Sequence, residues 1–197
     1  MMFNFTKDYI LENDKVKLIP LHKQHVHDLA EVASEEELWT YFIGDSNGKG
    51  RFKSYVNQAL AARKNKEAYT FAIYDKGKGK YAGSTRFFEF STALNSVRLG
   101  YTWLGSLFQG TGLNKNCKYL IFQFAFEQIG FDKVGLGAHT ENEISIAAMK
   151  SVGCKPAGTL PDFFPAIHGQ GRADAVLLNL HKTDWIKTVK QRLEQKI

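Results

Sequence analysis

LGYTWLGSLFQGTGLNKNCK, residues 99–118, begins as a half-buried strand, breaks into a turn carrying Gly105, Gly110 and Gly112, and restarts as a helix. The restart is marked by Leu113, Cys117, Leu120, Ile121 and Phe124, which recur at helical spacing. Strand, glycine-rich turn and helix together make an anion cradle. Glycines let the backbone turn tightly and approach a ligand. The first N–H groups of the helix are unpaired at the positive end of its dipole, so a phosphate can settle there.

Spacing discriminates among three phosphate loops. A nucleotide-triphosphate loop needs Gly-Lys-Ser/Thr after a four-residue gap, whereas Gly105 leads to Gly110 and Thr111 with no lysine. A dinucleotide fingerprint would put a third glycine where Lys115 stands and would lie in an opening β-α-β unit. What remains is the loop for the diphosphate of coenzyme A, and Gln109-Gly110-Thr111-Gly112-Leu113-Asn114 resembles the form it takes in acetyltransferases of the GNAT superfamily, with Asn114 in place of the final small residue. The run LGYTWL, then QGTGLN, then Lys118, Leu120 and the AF at 125–126, then TENEIS and a helix ending VGCKPAGTL, is similar to the Rim-type branch, related to ribosomal-protein N-terminal acetyltransferases. The resemblance covers roughly residues 14–185, nearly the whole chain.

At 197 residues, 44% hydrophobic and 23% charged, the chain suits one domain, 1–197, with its core over about 14–185. No apolar run approaches the ~20 residues that span a bilayer, and Asn4, Lys7 and Asp8 interrupt any signal-peptide core. A cytoplasmic protein with no membrane partner is expected. Cys117 and Cys154 read as buried free thiols, and His22, His25 and His27 have poor spacing for a metal, so no metal is expected. The net charge of +6 favours acidic partners. A multiply phosphorylated coenzyme meets that charge, nucleic acid is not the expected partner, and a homodimer is left open.

A first strand is expected with Val16, Leu18 and Pro20 on alternating positions after a turn at 12–14, then a helix over 22–33 and a second over 52–64. Between them Trp39, Tyr41, Phe42 and Ile43 form an aromatic patch before GDSNGKG. Residues 68–104 read as a three-stranded meander with a lysine-rich turn. A helix over 111–129 crosses back to the strand KVGLGAHT. Asn142 caps a short helix with Ser145 at its third position. A strand over 155–159 and another over 173–181 are separated by the connection LPDFFPAIHGQGR. Over 183–196 a docking helix places Trp185, Ile186, Val189, Leu193 and Ile197 on one stripe. The expected fold class is α+β: a GNAT-like mixed, mostly antiparallel sheet of six to seven strands flanked by helices, with a splayed coenzyme site between the central strands.

The resemblance implies an N-acetyltransferase that moves an acetyl group from acetyl-coenzyme A, its co-substrate, to a primary amine on a protein N-terminus or a small molecule, by direct attack. It implies coenzyme binding by Gln109, Gly110, Thr111, Gly112, Leu113 and Asn114, with Lys118 as a further phosphate contact. Backbone N–H groups near Thr102, Trp103 and Leu104 would stabilise the oxyanion, Asn142 would bind the coenzyme, and Ser145 would protonate the departing thiolate. Trp39, Tyr41 and Phe42 would line one wall of the acceptor pocket, and Phe163 and Phe164 the other. Relatives often carry an acid two residues before the strand glycine, where Arg98 stands here. Asp162 is the candidate base, with Glu89, Glu141 and His139 as alternatives. Arg98 and the net charge keep a second reading open, a coenzyme-binding or nucleic-acid-binding module on the same fold without catalysis.

Overall fold

The computed structural model describes residues 3–42 and 52–197; Ile43 and the GDSNGKG run lie outside the described residues. Eight strands form one sheet: β1 (Leu11–Glu12), β2 (Val16–Pro20), β3 (Ala68–Asp75), β4 (Lys80–Ser91), β5 (Ser96–Leu104), β6 (Lys133–His139), β7 (Lys155–Pro165) and β8 (Arg172–His181), in the order β1-β2-β3-β4-β5-β6-β8-β7. Every pairing is antiparallel except β5 with β6. The mixed, mostly antiparallel sheet agrees with expectation; the count rises to eight because the segment before Val16 adds the two-residue β1.

Both faces of the sheet are covered. On one lies α3 (Leu113–Gln123), which runs into a π-helical turn over Phe124–Ile129 and stops at Gly130, where φ is +89°. Its Cys117, Ile121 and Phe124 bury against Tyr69, Phe71 and Phe87 of the sheet. At about 2 kcal/mol or more for each fully buried large apolar side chain, this layer is a main source of stability. The other face carries α2 (Phe52–Lys64), whose Phe52, Tyr55, Val56 and Ala59 pack with Leu21, Leu29, Trp39, Ala72 and Trp103. Cover on both sides is why β3 is buried almost end to end, not on alternate residues.

Several expected boundaries change. The helix over 22–33 shrinks to α1 (His25–Asp28) and a 3-10 turn at Val32–Ser34. There the His25 ring accepts from the His22 backbone N–H at 2.7 Å, which competes with helix bonding. The expected strand over 155–159 continues to Pro165 and pairs with β8 through Phe164 and Ala173, so LPDFFP, the first part of the expected connection, is a bulged hairpin arm. β7 is an edge strand, where proline is tolerated. The C-terminal helix is present as α5 (Lys182–Asp184), a π-helical turn at Trp185–Val189 and α6 (Lys190–Glu194). Trp185, Val189 and Leu193 are buried, while Ile186, expected on the same stripe, is exposed.

Candidate active site

The turn between β5 and α3 is built to present backbone. Gly105 continues the strand by donating to the Ala82 carbonyl at 2.9 Å, and it passes so close to α1's neighbour Val32 that a Cβ here would lie 2.4 Å from Val32 Cγ1. A 3-10 turn at Ser106–Phe108 follows, pinned by buried Phe108 and by Glu35, whose Oε2 accepts from the Ser106 N–H at 2.8 Å. Gln109 turns its amide back to donate to the Leu104 carbonyl at 2.8 Å, and the Thr111 hydroxyl donates to the Phe108 carbonyl at 2.8 Å. Gln109 and Thr111 therefore brace the loop from behind. Gly110 and Gly112 adopt left-handed backbone, φ +71° and +86°, with open space where a Cβ would stand. Among the described residues the N–H groups of Gly110, Thr111, Gly112, Asn114 and Lys115 have no acceptor. Unpaired amides at a helix start are the donors an anion needs. The Asn114 Oδ1 is buried without a partner.

The sheet opens beside this loop. β5 and β6 pair in parallel only at Ser96 with Lys133, Val97 with Val134 and Arg98 with Gly135. Beyond that point β5 stays with β4 and β6 with β8, so the facing edges of Leu99–Leu104 and Leu136–His139 have no strand partner. Within the open stretch β5 bulges. Gly100 pairs with Arg86 and Trp103 with Ser84, so Tyr101 and Thr102 together oppose Thr85, and Tyr101 has φ +49°. An extended ligand can lie in such a cleft and use its backbone groups, as an added strand would.

Lys118 holds the bulge from beneath. Its ammonium is buried and donates to the Thr102 hydroxyl at 2.9 Å, which lies 2.8 Å from the Thr85 hydroxyl. Burial lowers its pKa to about 8. Lys118 thus points into the fold and not along the loop. Trp103 and Leu104 are also buried side chains, leaving their backbone as what they can offer a ligand. Cys117 and Cys154 are buried free thiols, each pushed up to about 12 by burial.

At the far end of the cleft, β6 leads into α4 (Glu143–Ser151). Asn142 is its cap, accepting from the Ser145 N–H at 3.0 Å. The Ser145 hydroxyl, half-buried on the first turn, has no hydrogen-bond partner among the described residues. His139 is buried at the end of β6. Its Nδ1 accepts from the Glu141 N–H at 3.1 Å, so the neutral ring carries its proton on Nε2, and that atom is buried and unpartnered. Rings of Tyr41 and Phe164 each stand 5.5 Å from it, and the Tyr41 hydroxyl donates to the Glu141 carbonyl at 3.1 Å.

Of the expected pocket residues, Trp39 is core. It is buried, its Nε1 donates to the Ala33 carbonyl at 2.9 Å, and it packs on Tyr55 and Trp103. Phe42 packs on Trp39 and reaches Tyr101 at 6.1 Å, while Tyr41 reaches His139. Phe163 and Phe164 contact each other edge to face at 5.0 Å. Asp162 sits on the exposed bulge of β7 with φ +52°; its N–H donates to Asp174 and its carbonyl accepts from Arg172. Arg98 lies on the opposite face from α3, across the β6 glycines, and pairs with Glu89 at 3.3 Å. Sequence reading missed Arg86, buried on that face opposite Gly100. A lone arginine at the third alternate position after Ala82 and Ser84, in a strand otherwise read as core, was the available signal.

Comparison with known proteins bears on this geometry. Residues 15–155 match the family model described as acetyltransferase (GNAT) domain. A search of curated protein sequences found no match. Among solved structures, a GCN5-related N-acetyltransferase from Brucella melitensis superposes with a TM-score of 0.85 at 22% identity, covering 96% of this chain and 85% of that one. The microcin C7 self-immunity acetyltransferase MccE, solved with acetyl-CoA and AMP, superposes with a TM-score of 0.71 at 20% identity, covering 86% and 93%. A protein of Vibrio cholerae described provisionally as a ribosomal-protein-serine acetyltransferase gives a TM-score of 0.72 at 18% identity, covering 88% and 97%.

Proposed function

The chain belongs to the GNAT acetyltransferase family and is an acetyl-CoA-dependent N-acetyltransferase, and from that premise we propose that its acceptor is a primary amine, on a protein N-terminus or a small molecule, which attacks the thioester directly. The observation that carries the reading is the coincidence of two features on one strand–loop–helix unit: five unpaired amides between Gly110 and Lys115, and the bulged, partnerless edge of β5 immediately before them. The first suits the coenzyme diphosphate and the second its extended arm.

The thioester supplies an activated acetyl group. Of the chain's own groups, backbone N–H groups near Thr102 to Leu104, at and just after the bulge, would hold the carbonyl and stabilise the oxyanion that forms when the amine nitrogen bonds to the carbonyl carbon. Collapse breaks the carbon–sulfur bond, and the sulfur takes a proton. Ser145, free to donate on the first turn of α4, is the proposed source. The attacking nitrogen must lose a proton, and Asp162 on the β7 bulge is the proposed base, acting through water from its exposed position. Asn142 is proposed to steady the coenzyme with the amide nitrogen that its cap leaves free. Membership of the Rim-type branch is part of the same proposal and would favour a protein α-amine.

The test is thiol release from acetyl-coenzyme A, followed with a panel of peptides bearing free N-termini and of small amines. Amine-dependent thiol with stoichiometric N-acetylated product is expected. Thiol release that no amine accelerates would refute the proposed acceptor.

A further inference from the structure

Arg86 is the buried arginine among the described residues, 8% exposed, and it has no carboxylate partner there; the arginine ion pairs are those of Arg63 and Arg98. Its Nε donates to the Thr70 hydroxyl at 2.9 Å. Its Nη2 is sealed from solvent and has no partner. The guanidinium carbon lies 5.0 Å from the ring of Tyr55 and 4.4 Å from the ring of Tyr101. Two aromatic faces and one hydroxyl return only part of what a guanidinium loses on leaving water, so the group is held short of a counter-ion.

Its position relates it to the cleft. Arg86 pairs with Gly100, which puts it beside the Tyr101–Thr102 bulge on the face away from α3. Tyr101, which covers it, is 38% exposed and sits at a left-handed backbone angle. Arg98 stands on the same face, and its Nη2 lies 2.8 Å from where a Cβ on Gly137 would be, at the point where β5 and β6 separate. Beyond it, at the end of β6, the His139 Nε2–H is another buried donor without an acceptor. Three orphaned or partly paired donors thus stand on the face of the opening away from α3, and the acid facing them in direct contact is Glu89, 60% exposed and bound to Arg98.

Resting on the amine-acceptor reading above, we propose that the acceptor carries a carboxylate on the same small molecule as its amine, bound by Arg86 with Arg98 beside it. With Nε committed to Thr70, the edge left for a ligand is the Nη1–Nη2 pair, which a carboxylate reaches once the part-exposed Tyr101 ring that covers the guanidinium swings aside, and whose two parallel N–H groups match the two oxygens of a carboxylate. Held there, the carboxylate would set the distance from Arg86 to the attacking nitrogen, so acceptors differing only in chain length would be ranked.

The experiment compares ω-amino acids from glycine to 6-aminohexanoate with their carboxamides, and O-phosphoethanolamine as a phosphate-bearing amine, on the wild type, Arg86→Met, Arg86→Lys and Arg98→Gln. Turnover is read as thiol release. Binding is read separately, as the shift in unfolding midpoint that the N-acetylated acids and amides cause in the coenzyme A complex. The expected result is a preference for acid over amide on the order of 10- to 100-fold at one chain length, lost in Arg86→Met and reduced in Arg98→Gln, with the KM for acetyl-coenzyme A unchanged. Arg86→Lys keeps the charge but not the fork and is expected to fall between. Arg86→Met should unfold no earlier than the wild type, since it removes a charge lacking a counter-ion. Equal use of acid and amide by the wild type, a preference that survives Arg86→Met, or stronger use of the phosphate-bearing amine would each overturn the assignment. If no amine is acetylated but the N-acetylated acids still stabilise the complex through Arg86, the acceptor reading fails and the carboxylate site stands.

Discussion

Replacing Lys118 with methionine should stabilise the protein at neutral pH, and the gain should shrink as pH rises. Lys118 is buried, and its folded pKa of about 8 lies below the ordinary value of 10.5. The folded state therefore binds fewer protons than the unfolded chain between those values, so stability from this group rises with pH through that window. At pH 7 the buried charge costs on the order of 3 kcal/mol, and about 1 kcal/mol of that is recovered by pH 9. Lys118→Met removes the charge and leaves Thr85 and Thr102 to bond each other across 2.8 Å. Subtracting about 1 kcal/mol for the lost ammonium–hydroxyl bond leaves a net gain of roughly 2 kcal/mol at pH 7. For a chain of this size that is a rise in midpoint of about 4–8 °C, narrowing by about 2–4 °C at pH 9. The comparison must be between variants at each pH. Cys117 and Cys154, raised to about 12 from 9.0, make both proteins lose stability as pH climbs past 9. Thermal unfolding of both proteins at half-unit steps from pH 7 to 9 is the assay. A difference in midpoint that does not change with pH would refute the reasoning, because it would mean Lys118 keeps an ordinary pKa.

Other consequences follow from the same geometry. Gly105→Ala puts a methyl group 2.4 Å from Val32 Cγ1 and 3.0 Å from the Glu35 carboxylate, and overpacking should cost about 1–3 kcal/mol in chemical denaturation. Gly112→Ala has open space but a φ of +86°, so it should lose only about 1–2 kcal/mol while weakening acetyl-coenzyme A in titration calorimetry far more than Gly105→Ala does. Asn142→Ala removes the α4 cap, worth about 1 kcal/mol, and should raise the KM for acetyl-coenzyme A if the amide also meets the coenzyme. Asp162→Asn should lower the rate with amines most at low pH; full activity from pH 6 to 9 would remove Asp162 as base.

How much of this could be read beforehand depended on where local chemistry decides. The loop was legible because Gly110 and Gly112 need left-handed angles, and the start of α3 because its apolar residues repeat. The Asn142 cap was legible for the same local reason. Burial was harder. The patch at Trp39–Phe42 signals that aromatics gather, yet not which one is core; Trp39 went inside because Ala33 offers its indole an acceptor. Pro161 and Pro165 fall in what reads as a connection, but they lie on an edge strand, where proline is tolerated. Ile186 fell off its stripe because, one residue beyond Trp185, it points about 100° away from the buried line of Trp185, Val189 and Leu193. The bulge at Tyr101 and the position of Arg86 against it arise from pairing between strands, which no local periodicity records.

The central claim, that the Gln109–Asn114 loop and the opened β5 edge hold acetyl-coenzyme A, is tested most directly by thermal unfolding with acetyl-coenzyme A, ATP and NADP side by side. At ~100 times its dissociation constant a ligand adds about 2.7 kcal/mol, a rise of roughly 5 to 10 °C for a domain of this size. The account predicts that rise with acetyl-coenzyme A alone, and its loss in Gly112→Ala at the same ligand concentration. No shift with acetyl-coenzyme A, or an equal shift with all three nucleotides, would contradict it.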